Sequence, residues 1–105
     1  MQLTVLSVPG CPNVALLEER LAPLLAGRPG VTVTRRVIAT EEEAAHSGMH
    51  GSPTILVDGV DPFAAPDAAA SLSCRLYRNG EGYADGAPSV LQLRQAIGGP
   101  PAQPA

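Results

Sequence analysis

Residues 3–21 read LTVLSVPGCPNVALLEERL, and they contain the signals of a strand, a turn and a helix in immediate succession. The run begins with apolar, largely β-branched residues, which predict a buried strand. The pair Pro9-Gly10 predicts a turn. Pro12 suits the first position of a helix, because the backbone N–H that proline lacks has no partner there. The stretch therefore predicts a strand–helix unit with a cysteine at its junction.

Cys11 is the candidate reactive residue of this stretch. It lies at or beside the N-cap of the expected helix, where its sulfur would face the free backbone N–H groups of Asn13 and Val14. These groups form the positive end of the helix dipole and favour a thiolate. Because the thiolate is the nucleophilic and metal-binding form of cysteine, the position predicts a functional thiol. A buried structural cysteine is the alternative.

The rest of the chain alternates between strand and helix signals. Residues 31–38 alternate and are β-branched, which predicts a second strand joined to the first by a right-handed parallel crossover. Residues 54–57 form a third apolar strand, and Asp58-Gly59 predicts a hairpin turn after it. Residues 72–78 alternate and predict a fourth strand, which follows an insertion at 61–71. Two later N-capping segments predict further helices, and they begin at Thr40 and Ser89.

Residues 51–59, GSPTILVDG, complete a pattern that extends over most of the chain. The strand, Cys11-Pro12, the helix and a later Pro53 at a strand start together resemble the thioredoxin/glutaredoxin superfamily, and residues 2–97 fit its core. In that family a cysteine caps the first core helix and a cis-proline opens the third core strand. Cys11 and Pro53 match these two positions.

One position departs from the family pattern. The second cysteine of the family would fall at position 14, where this chain has Val14. The chain thus resembles the single-cysteine members of the superfamily. It is also similar to small actinobacterial thioredoxin-like proteins, some of which carry an organomercury-lyase label.

The resemblance implies an α/β, thioredoxin-like fold. We expect a four-stranded mixed sheet in the order 2-1-3-4, flanked by helices. A single domain should cover residues 1–98, and a disordered C-terminal tail should follow at 99–105. The length of 105 residues agrees with one domain and one core.

Composition narrows the classes of function. All seven basic residues are arginine and the formal net charge is −3, without a basic patch, so a nucleic-acid partner is not expected. No signal peptide or membrane-length apolar run is visible, so we expect a cytoplasmic protein that does not bind membranes. The two cysteines are then expected to be thiols in a reducing compartment. We further expect a monomer without a cofactor or a bound metal.

Cys74 has two interpretations. In the expected fourth strand it shares a face with Leu72 and Leu76, opposite Arg75 and Tyr77, which would make it a core residue. The alternative is that the insertion returns it to the Cys11 end of the sheet, where it would be a second catalytic thiol.

Four other residues are candidates for substrate binding. His50 lies three residues before Pro53 and would support the Cys11 thiolate; otherwise it is a surface histidine. The other candidates are at or next to the two positions of the family pattern, Cys11 and Pro53. The full set is Pro12, His50, Ser52 and Pro53.

The leading functional hypothesis is thiol–disulfide oxidoreductase chemistry. The Cys11 thiolate would attack a protein or glutathione disulfide, and Cys74 or an external thiol would resolve the mixed disulfide. The second hypothesis is a non-catalytic module, either a redox sensor or a soft-metal binder for Hg or Zn through Cys11, His50 and Cys74. A third is a thioredoxin-like scaffold without chemistry.

Overall fold

The computed structural model describes residues 1–65, 67–78 and 84–98. It has a mixed α/β fold with three helices, which are α1 (Asn13–Leu25), α2 (Glu41–Ser47) and α3 (Val90–Ala96). The strands, in chain order, are β1 (Gln2–Ser7), β2 (Thr32–Val37), β3 (His50–Ser52), β4 (Thr54–Val57), β5 (Ser71–Cys74), β6 (Tyr77–Arg78) and β7 (Ala84–Asp85). The tail expected at 99–105 lies outside the described residues.

The central sheet is mixed and has the order β2-β1-β4. β1 and β2 are parallel, with Leu3 opposite Val33, and they are joined through α1 as the sequence predicts. β4 is antiparallel to β1, with Leu6 opposite Thr54. This register sets the start of β4 beside the end of β1, so both meet at one end of the sheet.

The expected four-stranded order 2-1-3-4 is wrong, because this sheet has three strands among the residues that the structure describes. After the Asp58-Gly59 turn the chain makes only an isolated bridge between Val57 and Val60, and it then leaves the sheet. Asp61 follows at once, and its carboxylate is bound by Arg75. The part of the chain that departs from the expected fold therefore extends beyond residues 61–71, and from here on we refer to residues 61–78 as the insertion. The expected fourth strand is instead split into β5, which pairs in parallel with β3, and β6, which pairs with β7.

Apolar side chains cover the central sheet on both faces. On one face, residues of β1 and β4 pack against α1 and α3, and the buried members of this cluster are Leu3, Val5, Leu17, Leu21, Leu24, Ile55, Ala87, Leu93 and Ile97. On the other face a smaller cluster packs against α2, and it consists of Leu6, Ile38, Ala44, Met49 and Leu56. Burial of these aliphatic groups is the main stabilising contribution, since the chain is poor in aromatic residues.

Local signals explain where the helices begin. The Thr40 hydroxyl accepts the N–H of Glu43 at the start of α2. Ser89 and Gln92 form a reciprocal capping box at the start of α3. α1 has no side-chain cap, and Pro12 is its N-cap residue. Within the described ranges, no helix is long and apolar enough to cross a membrane.

Candidate functional site

Cys11 lies in the short turn between β1 and α1. Its N–H donates to the carbonyl of Val8 (3.3 Å), and its own carbonyl accepts the N–H of Val14 (3.4 Å). The helix starts one residue later than the proline pattern predicts, so Pro12 occupies the N-cap and Cys11 lies immediately before it. The residue is half-buried and its thiol is free, so solvent and small reagents have access to it.

Ser52 connects this turn to the start of β4. The Val8 N–H donates to the Ser52 hydroxyl over 3.1 Å, and Ser52 itself is buried. The Ser52–Pro53 peptide bond is cis, as expected from the sequence. With Leu6 opposite Thr54, Pro53 lies at the same end of the sheet as the Cys11 turn. The structure thus brings Cys11, Ser52 and Pro53 to one edge of the fold.

The insertion supplies donors to both carbonyl groups next to this peptide bond. The Arg75 backbone N–H donates to the Ser52 carbonyl (3.1 Å). The Tyr77 hydroxyl donates to the Pro53 carbonyl (2.5 Å). The carbonyl oxygens of Ser52 and Pro53 therefore both accept hydrogen bonds from within the chain.

A buried ion pair anchors the segment that makes these contacts. The Arg75 guanidinium contacts both carboxylate oxygens of Asp61, at 2.6 and 3.4 Å. The two side chains are only 11% and 4% exposed, respectively. One guanidinium nitrogen also donates to the Thr54 hydroxyl (3.3 Å). Each charge is thus compensated by a partner, which is the condition under which charged groups are tolerated in the interior.

Aromatic contacts complete this cluster. The Arg75 guanidinium carbon lies 4.5 Å from the centre of the Tyr77 ring, a cation–π distance. Phe63 meets the Tyr77 ring edge-on, with ring centres 5.6 Å apart. We refer to Asp61, Phe63, Arg75 and Tyr77 as the insertion cluster.

Burial raises the pKa of the Tyr77 phenol above its usual range. The Arg75 cation opposes this shift, whereas the negative charges of Asp61 and of an ionised Cys11 add to it. The phenol therefore keeps its proton at neutral pH and remains a donor to the Pro53 carbonyl.

A third loop packs on the start of α1. Arg20 donates to the carbonyls of Ala87 (2.9 Å) and Pro88 (3.3 Å), and it pairs with Asp85. The hydrogen bond from Arg20 holds the pKa of the Asp85 carboxyl below its usual range. Gly86 approaches the Asn13 side chain so closely that a Cβ there would lie 2.4 Å from the Asn13 Cγ. The loop before α3 is therefore fitted to the first turn of α1, two residues after Cys11.

Cys74 lies opposite Ser52 in the β3–β5 pair. Its thiol is free and the residue is exposed, so it does not fill the core. The neighbouring Leu72, in contrast, packs against the α2 cluster. Ser52 therefore lies opposite Cys74 in the strand pair, and its hydroxyl accepts a hydrogen bond from the segment that leads into the Cys11 turn.

His50 is held by the insertion. Its Nδ1 lies 3.1 Å from the Ala69 carbonyl, and its backbone N–H donates to the Thr54 hydroxyl. Among residues 1–65, 67–78 and 84–98, no three His, Cys, Asp or Glu side chains are close enough to hold a metal ion. Cys11, His50 and Cys74 therefore do not form a ligand set in this structure.

Sequence reasoning missed the insertion cluster. It placed Arg75 and Tyr77 on the face of a strand opposite to Leu76, with the leucine side as the core side. In the structure Leu76 is 69% exposed and Tyr77 is buried. The available signal was a charge at Asp61 directly after a hairpin turn, with an arginine in the next strand to neutralise it.

No protein-family model, curated protein or solved structure matches this chain. The site must therefore be interpreted from its own geometry.

Proposed function

We propose that this chain is a thioredoxin-like thiol–disulfide exchange protein in which Cys11 is the nucleophile. The observation that carries the proposal is the convergence of two segments at one end of the sheet. The Cys11 turn follows β1, Pro53 precedes β4, and the Val8–Ser52 hydrogen bond joins them.

The arrangement of the helices supports the same proposal. A parallel β1–α1–β2 crossover is followed by an antiparallel β4, with α1 and α3 on one face of the sheet and α2 on the other. This agrees with the mixed sheet and two helical layers of the superfamily that the sequence resembles. The fourth sheet strand of that resemblance is the element that differs.

The position of Cys11 suits the chemistry. The thiol is free and half-buried, and its residue lies directly before the N-cap of α1, as a nucleophile that reacts near a helix N-terminus requires. In the first step the Cys11 thiolate attacks one sulfur of a disulfide, that S–S bond breaks, and the other sulfur leaves as a thiolate. In the second step another thiol, either Cys74 or an external one, attacks the mixed disulfide and releases the remaining half of the substrate.

Single-cysteine variants test the assignment of the nucleophile. The reporter is a mixed disulfide of 5-thio-2-nitrobenzoate and a capped cysteine, whose aromatic thiol is coloured on release. We expect Cys74→Ser to release it at nearly the wild-type initial rate. Cys11→Ser should lose about tenfold or more of that rate, because only the less activated thiol remains.

The folded state of both variants is checked by their thermal unfolding midpoints. Serine is a conservative replacement both for the half-buried Cys11 and for the exposed Cys74. A folded Cys11→Ser variant that retains the wild-type rate would exclude Cys11 as the nucleophile and with it the proposed function.

A further inference from the structure

We propose that the insertion closes this site against extended peptides, so that its substrate is a small-molecule disulfide and not a protein disulfide. The inference rests on the proposed function, since it concerns the substrate class of the Cys11 site. It decides between the two substrate classes that the sequence leaves open.

Peptides usually bind extended at a sheet edge, where main-chain N–H and C=O groups on the protein are unpaired. The edge joined to the Cys11 turn is β3 with the following Pro53, because the Val8 N–H donates to the Ser52 hydroxyl. On this edge β5 is already paired in parallel, and the Ser71 N–H donates to the Met49 carbonyl (3.0 Å). The chain therefore occupies the edge with its own strand.

The closure extends to the peptide bond beside Cys11. The Ser52 carbonyl accepts the Arg75 N–H, and the Pro53 carbonyl accepts the Tyr77 hydroxyl. A substrate peptide that paired here would have to displace both donors. It would then leave the buried Arg75 and Tyr77 groups without these partners, which is costly.

The closing segment is also fixed in place. Arg75 is held by two contacts with the buried carboxylate of Asp61, and the Tyr77 ring packs between Arg75 and Phe63. Gly51 allows the close approach, because a Cβ there would lie 2.9 Å from the Arg75 Cβ. Displacement by a peptide would break the ion pair as well as the strand pairing.

Cys11 itself remains half-exposed beside this closed edge. A compact disulfide needs only the sulfur and a few neighbouring atoms, so it does not depend on main-chain pairing. The reaction is the exchange described above: the substrate S–S bond breaks, a Cys11–substrate S–S bond forms, and the second sulfur leaves as a thiolate.

The test compares two reporters that share a leaving group. Both are mixed disulfides of 5-thio-2-nitrobenzoate, one with N-acetylcysteine methylamide and one with a capped peptide of about eight residues with a central cysteine. All measurements use the Cys74→Ser background, so that Cys11 is the reacting thiol. Rates with free N-acetylcysteine correct for the intrinsic reactivity of each reporter.

We expect the corrected rate constant with the peptide reporter to be about tenfold lower than with the small reporter, because the peptide must displace two occupied acceptors. Equal corrected rates, or a faster peptide, would overturn the inference. Failure of the proposed function is a distinct result, in which the small reporter reacts with the Cys74→Ser protein no faster than with free N-acetylcysteine.

Two variants show whether the insertion causes the discrimination. Asp61→Asn removes the charge that holds Arg75 in place. Tyr77→Phe is the milder change, because it removes only the hydroxyl that donates to the Pro53 carbonyl. Each should raise the peptide rate at least about threefold relative to the small reporter. Glu18→Gln on α1, which breaks the ion pair to Arg35 of β2, is the matched control and should leave the ratio unchanged. The inference fails if Tyr77→Phe leaves the ratio of peptide rate to small-reporter rate at its wild-type value and Asp61→Asn, where it folds, does the same. The insertion would then not cause the discrimination.

Discussion

At Cys11 the chain passes from β1 into α1, and the backbone holds the residue from both sides. The Val8 carbonyl accepts its N–H, and its own carbonyl caps the N–H of Val14. These two hydrogen bonds fix the backbone position of Cys11 within the turn. The same turn is joined to Ser52, which fixes the distance between the thiol and the start of β4.

Tyr77 makes the stability of the fold sensitive to alkaline pH. Its folded-state pKa is raised by burial, whereas the unfolded phenol ionises near pH 10. Below about pH 10 both states are protonated and the stabilisation is fully present. Above it the unfolded state loses its proton while the folded state keeps it, so stability falls as the pH rises.

The difference between wild type and Tyr77→Phe isolates this effect. We expect the free energy of unfolding of the wild type to fall by about 1 kcal/mol more than that of the variant between pH 10 and 11. Urea unfolding at the two pH values measures it. Parallel loss in both proteins would show that the phenol is not protected in the folded state.

Asp61 should be critical for stability, although it lies in an insertion. Asp61→Asn leaves the Arg75 guanidinium buried without its counter-charge, and loss of one partner of a buried pair costs about 3–5 kcal/mol. Urea unfolding at neutral pH gives this value. Glu18→Gln breaks the more exposed pair with Arg35 and should cost at most about 1 kcal/mol. Similar costs for the two variants would contradict the burial of the Asp61–Arg75 pair.

At the level of elements, β3 and β5 form a second small sheet beside the central one. Their pairing depends on Gly51, which has φ of +112° and faces the backbone of β5. An alanine there would adopt an unfavourable conformation, and its Cβ would meet the Arg75 Cβ at 2.9 Å and the Ser73 carbonyl at 3.1 Å.

We expect Gly51→Ala to destabilise the protein by about 2–3 kcal/mol and to loosen β5. Hydrogen exchange of the Ser71 and Arg75 amides, which donate to the carbonyls of Met49 and Ser52, reports the loosening directly. Gly30→Ala is the matched control, since a Cβ at Gly30 meets no atom within 4 Å. Unchanged protection of both amides in a folded Gly51→Ala variant would argue against the close packing of the two strands.

The helices were predictable from the sequence because residues close together along the chain determine where they form. The spacing of Leu17, Leu21 and Leu24 on one side of α1 is a helical period, and all three are buried. The N-cap at Thr40 and the capping box at Ser89 mark the starts of α2 and α3 for the same reason.

The position of β5 was not predictable in this way. Its pairing with β3 depends on the contact between Asp61 and Arg75, which are fourteen residues apart. Each of these residues is typical of the surface when considered alone, and only their mutual neutralisation allows burial. The alternation of residues 72–78 was visible, but alternation does not say which face is buried when charges on one face can pair.

In the whole molecule, the two apolar clusters hold the central sheet while the functional residues lie at one end of it. Cys11 comes from the turn after β1, whereas Ser52 and Pro53 come from the junction of β3 and β4, and the pairing of β1 with β4 brings the two segments to the same end. The insertion then adds Cys74, Arg75 and Tyr77 to the same end. The proposed function thus assigns thiol chemistry and substrate access to separate parts of the chain.

The most direct test of the central claim is to find which sulfur reacts first. The reduced protein is treated with less than one equivalent of 2-hydroxyethyl disulfide, quenched with acid, and the adduct is located by peptide mass spectrometry. Accessibility alone favours Cys74, because it is exposed whereas Cys11 is half-buried. A nucleophilic Cys11 predicts the opposite, with Cys11 adducts exceeding Cys74 adducts by about ten to one. A first adduct mainly on Cys74 would contradict the assignment of Cys11 as the reactive thiol.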